Sequence, residues 1–315
     1  MNFQKKNFKK LKGDASTRIF FRNTKKKSSS IIVYANKDKR SNLLIYDSIN
    51  KILLKNNILA PKLLSENYSK NYIEIEDFGN KTIFTLLRKN GINKLIILKK
   101  IIRLLGKLQS IQQREVKDFK KKNYKIPYYY PKILLEEAKL FSKWYIDQYL
   151  VRSQRLIFKK KFIKIVKNLI KKLHYKNVTF VHRDFHVSNL MMVKNKIAVI
   201  DTQDALIGNK AYDLASLIDD VRIKTSKNTK KKLFEYYLKS QKKINKLHIT
   251  NDFEIISVLR NLKIIGIFKR LAVRDKKKKY LKLIPNAWNL IELRSRNNNK
   301  FKNLNDLLDT IKKIK

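Results

Sequence analysis

The 315-residue chain contains no cysteine, which excludes a disulfide framework and any thiolate-held metal and suits a reducing compartment. It has no apolar run near the roughly 18 residues that a membrane helix needs; the most apolar stretch, 95–108, is interrupted by Lys99, Lys100 and Arg103. The opening MNFQKKNFKKLKGDAS is basic and lacks the apolar centre of a signal peptide. A cytoplasmic protein with no membrane span is therefore expected. Acidic residues are scarce, 25 against 75 Lys and Arg, which leaves a formal charge of +50. Such an excess suggests a nucleic-acid or anionic-membrane binder. The lysines, however, are scattered over nearly every helix face and loop, as solvated positions are, and no specific nucleic-acid partner is expected. Hydrophobic residues at 43 % are ample for burial, and the length allows two lobes.

What the chain does have is concentrated in VTFVHRDFHVSNLMMVKNKIAVIDTQD, residues 178–204. Leu190–Val193 and Ile197–Ile200, short apolar runs around the turn 194–196, read as an antiparallel hairpin. That pairing brings Asn189, before the first strand, to the same end as Asp201, after the second. An amide and a carboxylate oxygen side by side suit Mg²⁺, which is commonly held by one or two carboxylates together with substrate phosphates. Upstream, His182, Arg183, Asp184, four further residues and Asn189 spell H-R-D-x-x-x-x-N, the loop in which Asp accepts the proton of an attacking hydroxyl during phosphoryl transfer.

Elsewhere the first part of the chain reads as strands with one helix. Residues 3–11 suggest a short basic helix or a frayed terminus. GDASTR, 13–18, leads with small residues into strands at 19–22 and 31–35 across a polar turn, 23–30. Its single glycine makes it neither a P-loop nor GxGxxG. Ser41 is the expected N-cap of a helix over 41–56, and strands follow at 62–65 and 72–76. Acidic Glu74, Glu76 and Asp77 precede Phe78 and Gly79, where the pattern turns helical. Helices are expected over 95–111, 133–149, 158–173 and 260–274, and Asp213 as the N-cap of another or as a brace for the catalytic loop. His174 and His248 read as structural.

GDASTRIFFR (13–22), IEDFG (75–79), VHRDFHVSNLM (181–191), DTQDALIGNKAYDLASL (201–217) and LKIIGIFKRLAVRDKKKKYL (262–281) together resemble the protein-kinase-like aminoglycoside phosphotransferase family. GDAS and LKIIGIF narrow the likeness to its bacterial amino-sugar kinases. The resemblance implies an α+β, two-lobe fold: a small β-rich nucleotide lobe (1–75), a hinge (76–80) and a larger, mainly helical lobe (81–315). It implies ATP and Mg²⁺ as cofactors, and transfer of the γ-phosphate to the anomeric hydroxyl of N-acetylmuramate or N-acetylglucosamine in cell-wall recycling. By position, Asp184 becomes the catalytic base, Asn189 and Asp201 the metal ligands, and Asp14, Ala15 and Ser16 part of the phosphate loop. Glu76, Asp77 and Phe78 lie beside adenine; Arg183, His186, Gln203 and Asp204 are candidates to face the sugar; His182 and Asp213 are supports. The chain departs from the pattern twice. Thr202 stands where these sugar kinases usually carry Phe, and no V-A-I-K lysine ends the second strand, Lys37 being only a candidate. Another small alcohol of the aminoglycoside, choline or homoserine type is the alternative acceptor; a pseudokinase is disfavoured by the intact Asp184, Asn189 and Asp201.

Overall fold

The computed structural model describes residues 8–11, 18–25, 28–241 and 243–312. In chain order the elements are β1 Phe8–Lys10, β2 Ile19–Lys25, β3 Ser28–Tyr34, α1 Ser41–Lys55, β4 Leu63–Asn67, β5 Tyr72–Glu76, α2 Ile83–Leu87, α3 Lys94–Gln109, β6 Glu115–Lys117 and β7 Asn123–Lys125. There follow α4 Pro131–Leu140, α5 Arg152–Lys171, β8 Thr179–Val181, β9 Leu190–Val193, β10 Lys196–Val199, β11 Leu206–Gly208, α6 Ala211–Ile218, α7 Lys227–Ser240, α8 Lys246–Val273, α9 Ile284–Ser295 and α10 Lys302–Lys312. They divide into two compact units. One draws on the chain up to Pro127 and on His182–Leu206; the other comprises Tyr128–Val181 and Ile207–Lys315.

The first unit is built on an antiparallel five-stranded sheet of order β1-β2-β3-β5-β4. Alternation along β3 sends Ile31 and Val33 to one face, where they pair with Ile75 and Ile73 of β5 and pack with Leu43 and Tyr46 of α1. Ile32 on the opposite face is also buried. Residues 8–10 form a strand, where a helix or a frayed end was expected from the sequence, because Lys10 pairs with Phe21 of β2 and the sheet edge overrides a weak helical tendency. The expected turn 23–30 is far shorter, since β2 and β3 stay paired from Ile19↔Tyr34 to Lys25↔Ser28. Arg40, not Ser41, holds the cap position of α1. The expected hairpin of β9 and β10 forms, but its second strand runs Lys196–Val199 rather than 197–200 and its turn has two residues rather than three, with Val193 opposite Lys196. Lys194 and Asn195 both take positive φ, 43° and 64°, as a two-residue type I′ turn requires.

The second unit is helical apart from the pair β8 and β11. The helix expected over 133–149 is shorter: α4 ends at Leu140 and continues as a wide turn, Phe141–Tyr145, and a tight one, Ile146–Gln148. Gly266 of α8 sits so near Leu140 that a Cβ there would collide with its backbone carbonyl, an approach that only glycine allows. Below it, Asp219 at the end of α6 joins four helices. It accepts from Ser257 at 2.6 Å and from Arg294 Nε and Nη2 at 2.9 and 3.0 Å, with the Lys230 ammonium 3.1 Å away. Burial alone would raise its carboxyl, but Lys230 and Arg294 outweigh burial and hold it below the usual range. His174 and His248 stack in parallel, 4.1 Å between centroids. Among the described residues, no helix is long and apolar enough to cross a membrane.

Candidate active site

The HRDxxxxN loop, the β9–β10 hairpin and the N-terminal sheet all belong to the first unit. His182 is fully buried, its Nε2 3.1 Å from the Ile200 carbonyl, which ties the start of the loop to the residue before Asp201. Arg183 follows at φ +75° and Asp201 sits at +62°; left-handed backbone at non-glycine residues costs of order 1–3 kcal/mol and concentrates at functional positions. The Asp184 carbonyl accepts from the His186 amide at 2.9 Å and from the Asn189 side-chain nitrogen at 3.1 Å. That second bond uses the amide nitrogen of Asn189, so its oxygen is the atom left to act as a ligand. One ladder step beyond the hairpin, Ile200 N donates to the Asn189 carbonyl at 3.0 Å, and Asp201 follows directly.

The Asp201 carboxylate is held by an arginine from the other end of the chain. Arg18 Nη2 lies 2.5 Å from its Oδ1, while Nη1 donates to Gln203 Oε1 at 2.6 Å. Gln203 Nε2 in turn donates to Asp204 Oδ2 at 2.6 Å, and Asp204 stands 3.7 Å from Arg183. Three of the four residues expected beside the acceptor, Arg183, Gln203 and Asp204, thus join Asp201 in one polar chain; the fourth, His186, is buried. Burial is the main influence on Asp201 and pushes its carboxyl up; Arg18 opposes this, while Asp184 and Asp204 add to it. A divalent cation would relieve this crowding of negative charge. The oxygens of Asn189 and Asp201 fit a hard cation whose remaining ligands come from water and phosphate.

Thr202, the departure from the family pattern, is fully buried and donates to Asn50 Oδ1 of α1 at 2.6 Å. The Asn50 nitrogen donates to the Pro61 carbonyl at 3.0 Å. A buried hydrogen bond therefore ties the residue after Asp201 to α1. Tyr46, one turn earlier on α1, lies under the Arg18 guanidinium at 5.7 Å; burial pushes its hydroxyl up to about 12, so it stays protonated. Arg18 as a contact of Asp201, Tyr46 and Asn50 were missed by sequence reading. The only signal was Arg18 at the end of GDASTR.

At the expected hinge, β5 ends at Glu76, and Asp77 is clamped by Arg22 Nε at 2.6 Å. Arg22 also donates to Asn80 Oδ1 at 2.8 Å and to the Gly79 carbonyl at 3.0 Å, which fixes the loop to β2. Burial would raise the Asp77 carboxyl, but Arg22, the Gly79 amide and Ser29 together hold it low. Asp14, Ala15 and Ser16 lie outside the described residues. Lys37 is exposed in a short turn after β3. Asp213 belongs to the second unit and is not the expected N-cap. Lys210 occupies that position of α6 and Asn209 Oδ1 accepts from the Ala211 amide at 2.9 Å, leaving Asp213 buried in the first turn.

Comparison with known proteins agrees with this architecture. The model of the phosphotransferase enzyme family matches residues 7–245. The chain is 30 % identical over 294 residues to the N-acetylmuramate/N-acetylglucosamine kinase of Neisseria meningitidis, covering 90 % of this chain and 84 % of that protein. It is 24 % identical over 286 residues to the protein of the same name from Pseudomonas aeruginosa, covering 89 % and 81 %. Among solved structures, an amicoumacin kinase in complex with AMP-PNP and Ca²⁺ superposes with a TM-score of 0.65 at 17 % identity, covering 92 % of this chain and 89 % of that one. A Plasmodium vivax ethanolamine kinase gives 0.64 at 13 %, covering 91 % and 83 %. The chain therefore belongs to the phosphotransferase enzyme family and is an enzyme with the protein-kinase-like fold.

Proposed function

We propose that the protein transfers the γ-phosphate of ATP to the anomeric hydroxyl of an amino sugar, N-acetylmuramate or N-acetylglucosamine, and so serves cell-wall recycling. The observation that carries this reading is the likeness to curated kinases of that name along most of both chains. The intact set of Asp184, Asn189 and Asp201 on one loop and hairpin supports it. Residues 1–75 would form the nucleotide lobe and 76–80 the hinge beside adenine.

Phosphoryl transfer asks the protein mainly for positioning and charge neutralisation. Asp184 orients the sugar hydroxyl and accepts its proton. Asn189 and Asp201 would hold Mg²⁺, which when bound neutralises charge on the phosphates. His182 keeps the loop in register with Asp201, and the Arg183, Asp204 and Gln203 chain lines the acceptor side.

The test is incubation with ATP and Mg²⁺ and a panel of N-acetylmuramate, N-acetylglucosamine, an aminoglycoside, choline and homoserine, with products identified by NMR. A 1-phosphate of either amino sugar is expected, together with a turnover loss of at least about a thousandfold in Asp184→Asn while ATP binding is kept. Phosphorylation of a different alcohol alone, or normal turnover in Asp184→Asn, would overturn the assignment.

A further inference from the structure

We propose that Arg18 is the phosphate-facing cation of the nucleotide site, in the role that β3 leaves vacant. The inference rests on the nucleotide reading above. It begins from an absence on a described strand: β3 is SSSIIVY, and its central residues Ile31, Ile32 and Val33 are buried hydrocarbons. No lysine rises from it, and Lys37 is exposed beyond its end.

Arg18, by contrast, is a cation placed at the metal-binding carboxylate. Its side chain is only 4 % exposed and its Nη2 is 2.5 Å from Asp201 Oδ1. Its guanidinium is fixed from other sides by Gln203 and by the rings of Phe20 and Tyr46 at 5.6 and 5.7 Å. A buried cation costs several kcal/mol of desolvation, which a surface contact would not justify. Four residues on, the arginine of β2, Arg22, is engaged with Asp77, Asn80 and Gly79 and serves the hinge loop instead. A planar guanidinium suits phosphate oxygens better than an ammonium does, because it presents paired donors. When a divalent cation takes part of the Asp201 charge, Arg18 stays beside it, in position to meet the phosphates.

The experiment compares ATP with adenosine, each titrated calorimetrically with Mg²⁺ into wild type, Arg18→Gln and Arg18→Lys. Loss of a charged hydrogen bond to phosphate predicts about ten- to a hundredfold weaker ATP binding in Arg18→Gln, with adenosine binding unchanged and Arg18→Lys in between. Equal loss for ATP and adenosine would mean that Arg18 only holds the fold, and would overturn the proposal, as would unchanged ATP affinity in Arg18→Gln. Wild type that binds neither compound would overturn the nucleotide reading and this inference with it.

Discussion

At Thr202 a single hydroxyl ties the segment after β10 to α1. Its bond to Asn50 is 2.6 Å and fully buried, so Thr202→Val keeps the volume and leaves the Asn50 oxygen without its donor. A cost of about 1–3 kcal/mol follows from an unsatisfied buried acceptor, to be read from urea unfolding; an unchanged midpoint would contradict it. The same residue marks the limit of what the sequence discloses. Asp184, Asn189 and Asp201 were readable because a short motif and one hairpin bring them together within 18 positions of the chain. Arg18 and Asn50 reach the same place across 183 and 152 residues, and no local pattern records such a meeting. The Thr202 substitution was visible, but its hydrogen-bond partner was not.

Helix α8 shows the same division at the level of elements. Its apolar face over 260–274 was legible from spacing, whereas its full extent, Lys246–Val273, and the shortening of α4 against it were not. Periodicity reports which face is buried; it does not report how near the neighbour comes. Gly266 lies against the Leu140 backbone at the end of α4, and two opposed terms decide its replacement. Alanine in a helix interior is normally worth about 0.5–1 kcal/mol over glycine. Here the added methyl meets the Leu140 backbone, and overpacking against main chain costs about 1–3 kcal/mol or more. Gly266→Ala is therefore expected to lower the melting temperature, and a rise would show that α4 can yield. Sheet order was equally hidden: β4 follows α1 but pairs at the edge beside β5, because the buried strands β3 and β5 match Ile31 to Ile75 and Val33 to Ile73.

For the molecule as a whole, the charge of +50 on 315 residues acts against compactness through self-repulsion. Raising ionic strength from about 0.01 M to about 0.15 M shortens the screening length from about 30 to about 8 Å. The melting temperature in added NaCl should therefore rise by a few degrees, since 1 kcal/mol corresponds to roughly 2–4 °C in chains of this size class; a fall would show that ion pairs such as Arg296–Asp309 outweigh the repulsion. The two-unit division has a consequence for biosynthesis. The first unit is completed only by His182–Leu206, and Leu206 lies 79 residues beyond Pro127. At about 5–20 residues per second on the ribosome, that gap lasts roughly 4–16 s. Until Arg183 has been added the nascent sheet exists without Asp184, Asn189 or Asp201, so a chain interrupted before Asp184 carries none of the residues assigned to phosphoryl transfer.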